Sequence, residues 1–333
     1  LTDTSRYRLV LAALSLAVVL LFLMSLATGP AAIGFADSMR ALLSGDAYEI
    51  TLIMREIRLP RAILGLMVGA TLGLSGAVLQ GYLRNPLAEP GLLGISATAS
   101  LGAVLTIYTG VSLVFPLALP LAALAGAGVA VLVVRAMAGG SGGTLSIILA
   151  GIALSAFAGA MTSLALNLSP NPFAAMEIVF WMLGSLTDRS MIHVSLAAPF
   201  MVLGWVMLAL TARALDALTL GASAAASLGF DLRRTQLLAV GGTAASVGAA
   251  TAVAGAIGFV GLVVPHILRP LVGSMPSRLL PASALGGAAM LLAADILVRL
   301  IAPERDLKLG VLTAMVGAPF FLWLIWRSRR TML

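Results

Sequence analysis

Residues 215–236 read LDALTLGASAAASLGFDLRRTQ, the point at which a chain of membrane-length apolar blocks turns polar. Asp216, Asp231, Arg233 and Arg234 cannot sit in hydrocarbon cheaply, because a charge at mid-bilayer costs about 2.5–3.5 kcal/mol even on the gentlest scale. The stretch therefore lies between two spans, outside the bilayer. It does not read as a solvated tether. Gly221 and Gly229 bracket an Ala/Ser/Leu run of high helix propensity, and Asp231 is placed to N-cap a helix resuming at Leu232. Short helices carrying Leu218, Leu220, Leu228 and Phe230 with few charges call for a cover. That cover is either the chain's own membrane domain or a partner.

The composition around this stretch excludes most alternatives. Of 333 residues, 60% are hydrophobic and 10% charged, and a mean hydropathy of +1.08 rules out a soluble globular domain and a disordered one. The expected fold is an all-α polytopic membrane protein, a single domain over 1–333. Cysteine is absent, which excludes disulfides, thiolate metal sites and cysteine nucleophiles. Lys308 is the single lysine, so a Gly-Lys-Ser/Thr phosphate loop is impossible and the chain does not hydrolyse ATP by that chemistry. The net charge of +7 reads as topology rather than nucleic-acid binding. Leu9 to Ala27 is too long for the apolar core of a signal peptide and has no clear cleavage site, so it counts as a first span.

A helical span takes about twenty apolar residues. On that measure ten blocks follow one another, at 9–27, 60–82, 91–109, 114–135, 145–167, 191–212, 235–254, 257–273, 279–301 and 309–326. Placing the N-terminus in the cytoplasm puts Arg6, Arg8, Arg84, Arg135, Arg213, Arg233, Arg234, Arg269, Arg278 and the C-terminal arginines inside. Only Asp3, Glu89, Asp216 and Asp231 oppose them there, while the other side is nearly neutral. The positive-inside rule then places both termini and the 215–236 segment in the cytoplasm. On the outer face, residues 169–188 are apolar enough for a short helix lying on the membrane, near 170–186, with Phe180 and Trp181 at headgroup level. Ala302 to Lys308 forms a charged connection on the same face.

Glycines 65, 69 and 73 recur at helical spacing, and small residues on one stripe let helix backbones approach closely. His193 and His266 have no second ligand nearby, so no metal site is expected. Asp295 and Arg299 stand i, i+4 with the acid first, spaced to form an intramembrane ion pair. No acid lies inside any other span, which argues against a proton relay and a proton-coupled carrier. Arg58 and Arg61, at i, i+3, can share a face at the entry to the second span, for docking or for snorkelling to the interface. No catalytic constellation is visible, so the chain is not expected to be an enzyme.

The run RNPLAEPGLLG at 84–94 closely resembles the FecCD-type permeases, membrane subunits of type II ABC importers for cobalamin, haem and ferric siderophores. The resemblance continues through RLPRAILGLMVGATLGLSGAVLQG at 58–81, ILAG at 148–151, FWMLGSL at 180–186, IGFVGLVVPHILR at 257–269, RLLPASALGGAAMLLAADILVRL at 278–300 and LKLGVLTAMVGAPFFLWLI at 307–325. It implies a cobalamin-permease-like fold of ten transmembrane helices that homodimerises around a central pathway in a bacterial inner membrane. It also implies two copies of a cytoplasmic ATPase subunit, which carry the ATP and magnesium, and a periplasmic substrate-binding protein. No cofactor is implied in this chain.

Residue by residue, the resemblance makes Gly221, Ala225, Leu228, Gly229 and Phe230 part of an ATPase-coupling segment. Ala222 departs from it, since relatives often carry an acid there. Asn85, Leu87 and Thr144 match a cytoplasmic gate. Arg58, Arg61 and Arg299 match outer-face arginines that receive acids of the binding protein. The cargo it implies is an iron chelate, haem or a ferric siderophore, with cobalamin as the alternative. On composition alone the runner-up is a secondary transporter, which wants a membrane-embedded acid or an unwound helix pair. An integral membrane enzyme stands third.

Overall fold

A computed structural model describes residues 3–29, 31, 33–44, 48–115, 117–138, 144–169, 171–302 and 307–332, and every regular element among them is helical. The longer helices are α1 Asp3–Ala27, α2 Leu59–Leu83, α3 Ile95–Tyr108, α4 Ala118–Ala138, α5 Thr144–Asn167, α6 Met191–Ala209, α7 Leu232–Ala254, α8 Val260–Val272, α9 Pro276–Ile301 and α10 Leu309–Met332. Each apolar block of the sequence holds one of them. Seven of the described helices are long and apolar enough to cross a bilayer, and α3, α8 and the apolar part of α10 are shorter.

The glycine stripe organises the bundle around α2. A Cβ placed on Gly69 would lie 2.3 Å from the Gly287 carbonyl oxygen, one on Gly73 2.0 Å from that of Ser283, and one on Gly76 1.9 Å from that of Gly261. Backbone thus meets backbone between α2 and both α8 and α9. Lipid supplies no hydrophobic drive between helices, so such close van der Waals packing holds them together. Around α2 the core also draws on α6 and α7, while α3, α4 and α5 form a second cluster. The Trp205 indole donates to the Thr71 hydroxyl at 2.8 Å, an interhelical bond of a kind that contributes about 1 kcal/mol in membranes. Leucines and valines exposed on α1, α5 and α6 face outward, where lipid accepts them.

Two expected spans are shorter than the hydropathy suggested. The block at 91–109 contains a 3-10 turn, Pro90–Leu93, followed by the 14 residues of α3. The block at 257–273 contains only the 13 residues of α8, preceded by the irregular stretch 255–259. Gly261 lies against the Leu72 carbonyl oxygen and against Pro90, beside the middle of α2. Residues 84–94 therefore fold back from the end of α2 to its midpoint, and α3 and α8 both start at half depth. Irregular backbone is tolerated there because protein buries it.

Before α2, residues Ile53–Arg58 form a π-helical turn. Pro60 explains it, because its ring has no N–H and crowds the carbonyl four residues back. The apolar surface helix is observed at Pro172–Met182, N-capped by Asn171, whose side chain accepts the Ala174 N–H at 2.8 Å. Phe180 is half exposed as expected, but Trp181 turns inward against the cluster around α3, and its Nε1 is buried. Residues 303–306 of the charged connection lie outside the described residues.

Candidate functional site

After α6 the chain makes two short helices, Ala212–Leu218 and Ala222–Ser227, before Asp231 starts α7. The Asp231 carboxylate accepts the Arg233 N–H at 2.8 Å and the Arg234 N–H at 3.2 Å, the cap read from the sequence. Gly221 and Gly229 have φ of 108° and 86° with open space where a Cβ would be. Their role is backbone shape, since other residues take these angles only with strain. Ala214, Leu215, Ala217 and Leu218 are buried in the bundle, Ala225 is fully buried, and Phe230 packs on the main core. Of its large apolar side chains, Leu220 and Leu228, 70% and 61% exposed, face away. Of the apolar groups expected to await a cover, Leu218 and Phe230 are thus covered by the chain itself. The segment is pinned to α9 by the Asp216 carboxylate, which accepts the Ser277 N–H at 2.9 Å.

The proposed gate residues lie on a turn at the same end. Arg84, with φ of 50°, ends α2, and the N–H groups of Arg84 and Asn85 both bond the Gln80 carbonyl. The Asn85 side chain then accepts the Leu87 N–H at 2.9 Å, an Asx turn that fixes the direction of the chain. Thr144 stands apart from this turn, as the first residue of α5. Gln80 itself is 3% exposed. Its Oε1 accepts from Arg269 Nη2 at 2.8 Å, and its Nε2 donates to the Gly261 and Leu262 carbonyls at 3.3 and 3.4 Å. A cavity of about 260 Å³ separates the turn from α8 and the 215–236 segment, lined by Gln80, Arg84, Asn85, Thr219, Arg269 and Ser274.

At the far end, the three arginines expected to dock a partner are engaged within the chain. Arg58 is 3% exposed and donates to the carbonyls of Leu26, Ala27 and Ala31 at 3.0, 3.1 and 2.6 Å. It closes the C-terminus of α1, where unpaired carbonyls and the helix dipole favour a cation. Arg61 turns instead to α9, its Nε and Nη2 donating to Asp295 Oδ1 at 2.9 and 2.8 Å. Three residues apart on a helix, Arg58 and Arg61 thus reach two neighbouring partners, the end of α1 and Asp295 of α9. Arg299 pairs with Asp295 Oδ2 at 2.7 Å, as the i, i+4 spacing predicts, and also donates to the carbonyls of Ser25 and Thr28.

Sequence reading missed Glu89. Grouped with the cytoplasmic acids, it is instead partly buried in the run that folds back along α2, lining a cavity of about 100 Å³ with Ser96, Phe259 and Gly261. An acid thus stands within the bundle, on the connection between α2 and α3 rather than inside a span. Gln80 was missed too, although a lone amide inside an apolar helix is a visible signal. His193 forms a capping box with Ser190 at the start of α6, and His266 packs edge-on against Phe320 at 5.8 Å. Among the described residues, no three of His, Asp and Glu gather to hold a metal.

The FecCD transport family model matches residues 17–327, nearly the whole bundle. This chain belongs to that family. Among FecCD relatives, the Fe(3+) dicitrate transport system permease protein FecD of Escherichia coli K12 is 40% identical over 87% of this chain and 91% of its own length. The hemin transport system permease protein HmuU of Yersinia pestis is 37% identical, covering 95% and 96%. The vitamin B12 import system permease protein BtuC of Salmonella paratyphi A is 40% identical, covering 96% and 95%. A solved ABC transporter of the metal-chelate type, in an inward-facing conformation, superposes with a TM-score of 0.85 at 30% identity over 95% of this chain and 98% of its own. This FecCD chain is accordingly an ABC transporter permease of the importing kind, and its family works in complexes with ATPase and binding-protein partners.

Proposed function

We propose that this chain is the transmembrane permease of an importer that receives an iron chelate, haem or a ferric siderophore, from a periplasmic binding protein. ATP hydrolysis on a separate subunit drives it. The observation that carries the reading is the family match over residues 17–327. In this reading all ten longer helices belong to the membrane domain, with α3 and α8 completed by the re-entrant stretches beside them. Both termini and the Leu220–Leu228 surface face the cytoplasm. Two copies enclose the pathway, and two ATPase subunits, holding ATP and magnesium, seat on the coupling segments. The permease itself performs no chemistry.

The iron-chelate assignment is supported by the relatives FecD and HmuU, named for ferric dicitrate and hemin transport. At the outer end a cavity of about 390 Å³ is walled by Phe173, Met176, Phe180 and Trp181, with Glu177, Asp188, Arg189 and Lys308 around it. Lys308 Nζ stands 5.4 Å from the centre of the Phe180 ring. Aromatic walls with charges of both signs suit a bulky polar cargo. Cobalamin is the second reading, favoured by the relative BtuC, which is 40% identical. Proteoliposomes holding the permease, its ATPase and its binding protein decide between them, with uptake of ferric citrate, haem and cobalamin measured side by side. Uptake of cobalamin alone would replace the iron-chelate reading, and uptake of none would remove the importer reading.

A further inference from the structure

Three parts of the coupling end that an importer must move in concert meet around one cavity. Thr219 belongs to the coupling segment, Asn85 to the gate turn and Arg269 to the last turn of α8. Gln80 touches two of them at once. Its carbonyl holds the amides of Arg84 and Asn85, and its buried side chain takes the Arg269 guanidinium. Helix α8 is a short helix, with Pro265 and Pro270 inside it, set between two breaks, the stretch 255–259 above and Gly273, with φ of 89°, below. It meets Gln80 of α2 twice, through the Gly261 and Leu262 carbonyls at its start and through Arg269 near its end. Below Gly273, only Ser274 and Met275 separate α8 from α9, whose first turn is held by Asp216 of the coupling segment.

Resting on the importer reading above, we propose that Gln80 and Arg269 are positioning residues. They make α8 the link through which displacement of the coupling segment moves the turn carrying Asn85 and Leu87. The contacts form a contiguous path: Asp216 to the start of α9, the short turn to α8, Arg269 to Gln80, and Gln80 to the gate turn. A short helix set between two breaks can shift as a unit, and coupling travels through such contiguous contacts. The guanidinium–amide bond is the step that side-chain chemistry can cut without touching the ATPase surface or the gate residues.

The test uses the reconstituted complex of permease, ATPase and binding protein, and reads ATP hydrolysed per cargo imported. Arg269→Met and Gln80→Met should leave subunit assembly and basal hydrolysis unchanged and raise that ratio about tenfold, within the usual range for coupling between two sites. The exchanged pair Q80R/R269Q restores a donor facing an acceptor, and the ratio should fall back toward that of the unmutated complex. Spin labels at Ser223 and Pro86 in otherwise unchanged chains need no core substitution, and both should shift in the same ATP-dependent step. An unchanged ratio in both single variants would overturn the link. So would an exchanged pair that stays uncoupled, or labels that move in different steps. No uptake by the unmutated complex would overturn the importer reading, and the link with it.

Discussion

Replacing Asp295 with Asn tests the far-end network at its most loaded point. The carboxylate is 1% exposed and bridges two guanidiniums, Arg61 at 15% and Arg299 at 8% exposure. Asparagine keeps the shape but leaves both cations without a counter-charge and turns an N–H₂ group toward one of them. Breaking a buried pair by removing one partner costs about 3–5 kcal/mol. Water reaching Arg61 trims this, which puts the loss at about 3 kcal/mol. Arg61→Met should cost only about 1 kcal/mol, because Asp295 keeps Arg299 and one hydrogen-bonded charge is removed whole. In the double variant D295N/R61M one of the two orphaned cations is gone, so it should be more stable than D295N alone. Thermal unfolding of the purified permease in detergent, followed by tryptophan fluorescence, ranks the three. If D295N unfolds with the unmutated protein, or if Arg61→Met is the costlier change, Asp295 is not the buried hub of this network.

At the coupling end, L220D with L228D should weaken ATPase docking by about 2 kcal/mol, the scale of an interface hot spot, without unfolding the permease, as co-purification and uptake will register. F230D should instead lower the thermal midpoint, since that ring packs on the bundle's own core. Gly76→Ala, which sets a methyl 1.9 Å from the Gly261 carbonyl oxygen, should cost more than Gly65→Ala, whose nearest neighbour is a movable Leu292 side chain at 3.1 Å. Yield and thermal midpoint compare them. Arg58→Ala leaves three carbonyls near the end of α1 without their donor and should cost about 1–3 kcal/mol, a loss of stability rather than of binding-protein stimulation alone. Single cysteines replacing Ser223 and Ser274 should react with an impermeant reagent only from the cytoplasm, and one replacing Leu113 only from outside. Labelling of the first two in intact cells would refute the orientation.

What could be read in advance follows the range of each rule. Hydropathy measures length and polarity, so the blocks at 9–27, 145–167, 235–254 and 279–301 fall on α1, α5, α7 and α9. Depth is invisible to it. Pro90, Gly91 and Gly94, and Gly255 and Gly258, carry the breaks that start α3 and α8 at half depth, yet all are compatible with an apolar average. Local signals held where the structure is local: Asp231 caps, Gly221 and Gly229 turn, and Asp295 pairs with Arg299 four residues on. Facing was not legible, because Leu228 and Phe230 lie two residues apart on the turn after a short helix and only the fold of that turn decides which one meets the bundle.

The outer-end arginines show how a helix end claims a charge. Charges on a membrane surface, such as Arg58 and Arg299, invite the acids of a partner. But the last carbonyls of α1 have no water to bond wherever the bundle covers them, and an unpaired polar group there costs several kcal/mol. A helix ending at the membrane edge thus has first claim on any nearby guanidinium, before a soluble partner arrives. Two arginines, one from the turn before α2 and one from α9, meet the carbonyls beside that end, for Leu26, Ala27 and Ala31 take Arg58 while Ser25 and Thr28 take Arg299. Arg61 is the one left over, and it is the one that Asp295 neutralises from the inside.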